Sequence, residues 1–137
     1  MNYKNYNWSD EKVLIADDDI YSTILLEKIM NKVGVRVVLA SNGEEALHLL
    51  KSDRNITIAI IDILMPKLNG DEVVKKANEF RTDVIYIAYT ADILRLNKNK
   101  FFDLGFFYCL TKPVFPLKIL NTINEAVLFR EKTIKTL

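Results

Sequence analysis

The stretch Ile58-Ala59-Ile60-Ile61-Asp62-Ile63-Leu64-Met65-Pro66-Lys67-Leu68-Asn69-Gly70 decides how this chain of 137 residues is interpreted. A short apolar run leads into one carboxylate, Asp62, and Pro66 and Gly70 then interrupt the chain before a helical pattern resumes. Runs of this kind are typical of strands that are buried on both faces of a parallel sheet. Ligands bind at the carboxyl ends of such strands in open α/β sheets. Asp62 is therefore the first candidate functional residue.

Composition narrows the class of protein. Lys and Arg number 19 against 18 Asp and Glu, so the net charge is +1 and the strongly basic field of nucleic-acid binders is missing. The one cysteine, Cys109, excludes an internal disulfide and a cysteine-rich zinc site and suits a reducing compartment. No apolar run reaches the roughly 20 residues of a membrane span, and the N-terminus has no apolar signal core. We expect a cytoplasmic domain with no membrane segment and no direct nucleic-acid contact.

Strand-like and helix-like patterns alternate five times along the chain. Apolar strands are predicted at residues 12–16, 35–40, 57–61, 84–89 and 106–110, and helical patterns at 20–33, 43–50, 73–80, 92–104 and 116–127. Parallel strands need crossover connections, so the alternation predicts an α/β fold, a doubly wound five-stranded parallel sheet with five helices on its two faces. We expect one domain at residues 11–131, an N-terminal tail at 1–10 and a C-terminal tail at 132–137.

Polar side chains gather at one edge of this predicted sheet. Right-handed crossovers bring the carboxyl ends of all strands to the same edge. That edge receives acids after strands one and three, a hydroxyl after strand four and an amine after strand five: Asp17, Asp18, Asp19, Asp62, Thr90 and Lys112. Clustered carboxylates share a proton or hold a cation such as Mg²⁺. A carboxylate can also attack phosphorus, and Mg²⁺, Lys112 and Thr90 can neutralise the oxygens of a transferring phosphoryl group. The set is suited to phosphorylation of Asp62.

Four motifs in this order resemble the receiver domain of response regulators in two-component signalling, over about residues 11–131. They are Val13-Leu14-Ile15-Ala16-Asp17-Asp18-Asp19, Asp62-Ile63-Leu64-Met65-Pro66 with Gly70, Thr90-Ala91, and Leu110-Thr111-Lys112-Pro113. The resemblance implies a flavodoxin-like fold of strand order 2-1-3-4-5. It also implies that Asp62 accepts a phosphoryl group from a phosphohistidine on a histidine kinase or histidine phosphotransfer protein. Such a protein is not an enzyme with a separate substrate but catalyses its own phosphorylation and dephosphorylation.

The same resemblance implies a role for each site residue. Asp18 and Asp62 would bind Mg²⁺, or Mn²⁺, directly together with the backbone carbonyl of Leu64, and Asp17 would act mainly through water. The phosphoryl group would be contacted from the ends of strands four and five, by Thr90, Ala91 and Lys112. The peptide bond between Lys112 and Pro113 would be cis. A plainer alternative stays open for Asp19, which could simply cap the first helix.

Two departures from the family pattern concern the switch and the lifetime of the acyl phosphate. Cys109 stands three residues before the lysine, where receivers usually carry Tyr or Phe, and Tyr108 beside it should point to the opposite face. We expect an altered output face, formed by the fourth helix, the fifth strand and the fifth helix. The acyl phosphate would change the conformation of this face, and an unknown downstream protein would bind it. Leu64 and Asp92 resemble positions that shape the path of the hydrolytic water, and the lifetime stays open.

Other functions fit the motifs less well or remain as alternatives. A phosphatase of the haloacid dehalogenase type would carry Asp-x-Asp, and Leu64 takes the place of the second acid. A nucleotide-binding module would have a glycine-rich loop where Asp17-Asp18-Asp19 stands. A degenerate receiver that binds proteins without phosphorylation is the main alternative, because of Cys109. The chain stops soon after the fifth helix, which slightly favours a receiver from a hybrid histidine kinase over a free single-domain regulator.

Overall fold

Five parallel strands form the centre of the protein in this computed structural model, which describes residues 8–91 and 98–135. The strands are β1 (Lys12–Ala16), β2 (Arg36–Ala40), β3 (Ile58–Asp62), β4 (Ile85–Thr90) and β5 (Phe106–Thr111). Their order is β2-β1-β3-β4-β5, and every neighbouring pair is parallel. The predicted sheet and its strand order are confirmed.

Five helices connect and follow the strands: α1 (Ile20–Lys32), α2 (Gly43–Ser52), α3 (Gly70–Ala77), α4 (Lys98–Leu104) and α5 (Pro116–Lys135). The first part of the predicted fourth helix, including Asp92, lies outside the described residues. Helix α5 reaches Lys135 and is therefore longer than the helical pattern predicted at 116–127. None of these helices, as far as the chain is described, is long and apolar enough to cross a membrane.

The sheet buries a hydrophobic cluster on each face. One cluster joins alternate strand residues such as Ile15 and Ile60 to α1 and α5, and the other joins their neighbours Leu14 and Ala59 to α2, α3 and α4. Because successive residues of a strand point to opposite faces, a strand that is covered on both sides must be apolar throughout. The residues of β3 from Ile58 to Ile61 are all fully buried, which explains the uninterrupted apolar run before Asp62.

The N-terminal segment packs on the domain from Trp8 onward. Trp8 is only 3% exposed and belongs to the hydrophobic cluster on the face of the sheet that carries α1 and α5. Three residues later the buried carboxylate of Glu11 accepts hydrogen bonds from Arg130 Nη1 at 2.6 Å and from Thr57 Oγ1 at 2.5 Å. This segment is therefore fastened to α5. Residues 1–7 lie outside the described part of the chain.

Candidate functional site

Three carboxylates meet at the carboxyl edge of the sheet. Asp17 and Asp18 follow β1, Asp62 ends β3, and one oxygen from each lies within 4.8 Å of the others. Asp17 and Asp62 are buried, whereas Asp18 is exposed. All the donors are oxygens, as hard divalent cations prefer. Lys112 offsets one of the three negative charges and a divalent cation would balance the other two, so the residues present fit such an ion.

Lys112 lies between the two buried carboxylates. Its Nζ is 2.7 Å from Asp17 Oδ2 and 3.3 Å from Asp62 Oδ2. Asp17 Oδ1 accepts a hydrogen bond of 2.9 Å from the backbone amide of Asp19, while Oδ2 faces the amine as an ion pair without an aligned hydrogen bond in the described part of the chain. Burial acts to lower the pKa of Lys112, but the two carboxylates outweigh it and raise that pKa above its ordinary value. The amine therefore stays charged.

Asp62 is held in an unusual electrostatic state. Burial raises its pKa to about 6; Asp17 adds to the rise, and Lys112 opposes it. The carboxyl Oδ1 accepts a hydrogen bond of 3.2 Å from the backbone amide of Leu64. At neutral pH the group is still mostly ionised, yet it has lost much of its hydration. A poorly hydrated carboxylate next to a fixed cation is suited to attack an electrophile.

The three consecutive acids after β1 have different tasks. The Asp19 side chain accepts hydrogen bonds from the Tyr21 amide at 3.0 Å and from Ser22 Oγ at 3.2 Å, so it caps α1. This is the plainer alternative left open for Asp19 by the sequence. Since capping occupies Asp19, Asp17 and Asp18 are the two acids that reach the cluster with Asp62.

Gly70 closes the loop after Asp62 against the end of its strand. Gly70 is the first residue of α3, and its amide donates a 2.8 Å hydrogen bond to the Ile63 carbonyl. A Cβ at this position would lie 2.4 Å from the Asp62 carbonyl oxygen and 2.9 Å from Ile61 Cγ2, closer than any side chain allows. The motif spacing from Asp62 to Gly70 thus has a packing cause. Within that loop the Leu64 side chain is 65% exposed.

Thr90 and Ala91 reach the same edge from β4. Thr90 is 1% exposed, Ala91 is exposed, and the Thr90 carbonyl accepts a 2.7 Å hydrogen bond from the Lys112 amide. The peptide bond from Lys112 to Pro113 is cis. The backbone therefore joins the two strand ends whose side chains are the predicted phosphate contacts.

Cys109 lies on the same face of the sheet as Thr90. Strand pairing sets Ala88 beside Cys109 and Thr90 beside Thr111, and Cys109 packs on the cluster under α3 and α4. A β-bulge after the Tyr86 pair sends Phe107 and Tyr108 both toward the α5 side. Tyr108 thus does not replace the missing aromatic. A groove of about 290 Å³ at this edge is lined by residues that include Cys109 and Tyr108.

Tyr89 belongs to the site although no sequence motif singles it out. Strand register pairs it directly with Asp62, and it is 2% exposed. Lys112 Nζ lies 5.0 Å from the centre of its ring. Burial raises the pKa of the phenol, and the nearby Ser22 side chain and Val114 backbone act against this rise. In the sequence Tyr89 looks like one more apolar residue of β4, and the only hint was that a buried phenol needs a polar partner.

Comparison with known families agrees with this geometry. The family model described as the response regulator receiver domain matches residues 13–124. The chain belongs to the response regulator receiver domain family. This receiver is 30% identical over 118 residues to the probable transcriptional regulator ycf29 of Pyropia yezoensis, a match that covers 85% of the receiver and 53% of the regulator. The chain spans about half the length, or less, of the curated relatives it matches.

Solved structures with the same fold are also receivers. A CheY-like response regulator receiver domain protein from Methanospirillum hungatei JF-1 superposes with a TM-score of 0.82 at 27% identity, over 90% of this chain and 98% of that one. A chain of the co-crystal structure of the Saccharomyces cerevisiae histidine phosphotransfer signaling protein Ypd1 with the receiver domain of Ssk1 gives 0.79 at 26% identity, over 88% and 90%. The family consists of signalling phosphoacceptors rather than enzymes in the usual sense.

Proposed function

We propose that this receiver accepts a phosphoryl group on Asp62 from a phosphohistidine, in a Mg²⁺-dependent step of a two-component phosphorelay. The observation that carries the proposal is the position of Lys112, whose amine lies 2.7 Å from Asp17 and 3.3 Å from Asp62. A buried carboxylate with a purely structural role needs only one cationic partner. Here a fixed cation and two further acids surround it, as charge-neutralising phosphoryl transfer requires.

In the proposed step an oxygen of Asp62 attacks phosphorus. The new O–P bond forms as the bond from phosphorus to the histidine nitrogen breaks, and the leaving imidazole takes up a proton. Lys112 neutralises one oxygen of the transferring group, while the Thr90 hydroxyl and the Ala91 amide contact another from the end of β4. In a separate step the same groups assist the attack of water on phosphorus. The bond from phosphorus to the Asp62 oxygen then breaks, inorganic phosphate leaves, and the free carboxylate is restored, so the receiver catalyses its own dephosphorylation.

Three protein oxygen ligands are assigned to the cation in this proposal. Asp18 and Asp62 would hold Mg²⁺ directly with the Leu64 carbonyl, and Asp17 would act through water. Mn²⁺ suits the same oxygen donors. When bound, the cation supplies positive charge that neutralises the transferring phosphoryl oxygens. The mutual closeness of the three carboxylates, within 4.8 Å, supports this assignment.

An apolar rim beside the site supports a protein as the phosphoryl donor. It consists of large exposed side chains that follow the strands of the site: Ile20 (65% exposed), Tyr21 (81%), Leu64 (65%) and Phe115 (79%). Grouped exposed apolar residues mark interaction surfaces. A phosphohistidine has to be carried to Asp62 by its own protein, so we assign the rim to a histidine kinase or a histidine phosphotransfer protein. The co-crystallised relative was solved with a partner of the second kind.

Cys109 favours a second candidate function. A receiver whose switch position lacks the aromatic ring could bind a downstream protein through α4, β5 and α5 without being phosphorylated. In the first candidate the acyl phosphate shifts that same face. The two therefore differ in whether Asp62 carries a phosphoryl group.

The deciding experiment is intact-mass spectrometry after incubation with acetyl phosphate and Mg²⁺. We expect the mass of one phosphoryl group to be added, no addition when EDTA removes the metal, and no addition in Asp62→Asn. Asp103→Asn, which removes an exposed acid of α4, should label like the parent protein. An unlabelled parent protein, or a label that survives Asp62→Asn, would reject the proposal and leave the binding module.

A second measurement tests the donor class. The substitution Tyr21→Glu or Phe115→Glu should slow transfer from a phosphorylated histidine phosphotransfer protein at least about tenfold, because a central apolar contact is lost. Labelling by acetyl phosphate should be unchanged, since a small donor reaches Asp62 without binding to the rim. Leu128→Glu, at an exposed apolar position near the far end of α5, is the matched control. Equal effects on both donors would argue against the rim.

A further inference from the structure

We propose that Tyr89 is a positioning residue that holds the Lys112 amine over the phosphoacceptor, a role that rests on the proposed function. Its ring lies beneath Lys112 Nζ, with 5.0 Å between the ring centre and the nitrogen. Its hydroxyl contacts α1 at Ser22 and the loop after β5 at Val114. One side chain thereby joins three separate parts of the site.

The placement of Tyr89 follows from the sheet. Tyr89 is the register partner of Asp62, and neighbours across parallel strands share a face. The same cluster contains Ile15 and Leu110, each two residues before a site residue, Asp17 or Lys112. The two-residue alternation therefore brings the carboxylates, the amine and the ring to one side. The Tyr89 ring lies beneath the Lys112 amine on that side of the sheet.

The Tyr89 ring attracts the Lys112 amine independently of the two carboxylates. In the resting site the amine is nearer to Asp17 than to Asp62, at 2.7 Å against 3.3 Å. After phosphorylation its anionic partner becomes the phosphoryl group, so its contacts must change. A lysine has a flexible stem that loses much rotamer freedom when it is fixed. Attraction to the face of an aromatic ring persists through such an exchange, because it does not depend on either carboxylate.

The hydroxyl explains why a tyrosine suits this place. The Ser22 side chain and the Val114 backbone lie close to the hydroxyl, so a polar group fits at this end of the ring. Tyr86 in the same strand is the contrasting case. It lies on the opposite face and is 1% exposed, and its hydroxyl has no hydrogen-bond partner within the described residues. Tyr86 is therefore a matched control: a buried tyrosine of β4 that is remote from the amine.

The first test reads the position of Lys112 without any phosphorylation. Nuclei above an aromatic face are shielded, so the ε-CH₂ protons of Lys112 should have upfield NMR shifts in the parent protein. The shifts should persist in Tyr89→Phe, disappear in Tyr89→Leu and persist in Tyr86→Leu. Unshifted protons in the parent protein, or shifts that survive Tyr89→Leu, would overturn the inference.

The second test compares initial rates of Asp62 labelling at varied acetyl phosphate concentration with saturating Mg²⁺. Tyr89→Leu should lower the maximal rate about tenfold with little change in the half-saturating donor concentration, and Tyr89→Phe should lower it less. Tyr86→Leu, which leaves a similar cavity, should keep the parent rate per folded molecule. Equal rates in Tyr89→Leu and Tyr86→Leu would overturn the positioning role. If the parent protein takes up no label, the proposed function fails, and the NMR shifts alone decide where Lys112 lies.

Discussion

The burial of Asp62, the proposed phosphoacceptor, is unfavourable for the folded state. Its strand is covered on both faces, so the carboxylate emerges from a fully apolar run and is only 6% exposed. Removal of water from a charged group is unfavourable, and here the effect of burial exceeds the opposing effect of Lys112. A residue selected for stability alone would be neutral at this position. The strain is consistent with a group that is kept for chemistry.

Stability should therefore depend on pH through Asp62. Its folded pKa of about 6 lies above the ordinary 3.8, so between these values the folded state binds more protons than the unfolded state. Stability from this group is complete below about pH 4 and is lost as the pH rises through 6. Asn cannot titrate, so Asp62→Asn should match the parent protein near pH 4 and exceed it by about 2 kcal/mol at pH 7. Urea unfolding in EDTA measures both values. A difference that stays constant with pH would contradict the assignment, and Asp103→Asn should show no such trend.

At the scale of helices and strands, the strongest patterns were the ones the structure confirms. Five strands were predicted because each is a short apolar run. In the structure these runs are explained by the hydrophobic clusters on the two faces of the sheet. Helix α2 begins at Gly43, as the helical pattern predicted, and Asn42 Oδ1 caps it by accepting a hydrogen bond of 2.8 Å from the Glu45 amide. Convergence of Asp17, Asp62 and Lys112 followed from the common edge of parallel strands.

Other features of the elements depend on contacts that no local pattern contains. Trp8 is buried by α1 and α5, although its neighbours in sequence are polar. The bulge in β5 places Phe107 and Tyr108 on one face, which strict alternation would separate. The partners of Tyr89 come from α1 and from the loop after β5, far apart in the chain. Side-chain distances at the site depend on these loops, so the charged residues that meet at the carboxyl edge could be predicted, but Tyr89 and the geometry of the site could not.

Across the whole molecule, the proposed phosphorylation site and the buried side chain of Arg81 lie at opposite ends of the strands. Asp17, Asp62 and Lys112 are at the carboxyl edge, where charges are crowded. At the other edge Arg81 is 1% exposed and donates hydrogen bonds to the carbonyls of Leu50 at 2.9 Å and Ile56 at 2.6 Å. Arg81 thus satisfies backbone carbonyls at the end of the sheet that is remote from Asp62.

Arg81 should accordingly be a major source of stability for the entire domain. Besides those two carbonyls, its guanidinium donates to the Asp53 carbonyl at 3.2 Å and pairs with Asp83 at 2.9 Å. Arg81→Met would leave buried carbonyls without donors, so we expect a loss of about 3 kcal/mol or more in the free energy of unfolding, measured with urea. Arg54→Met is the matched control, because Arg54 is exposed and makes one carbonyl bond, of 3.1 Å to Phe80; it should cost under about 1 kcal/mol. Labelling of Asp62 per folded molecule should be unchanged in both variants, because neither arginine reaches the carboxyl edge. A small stability loss in Arg81→Met, or a labelling defect in its folded fraction, would show that the two ends of the sheet are not separate.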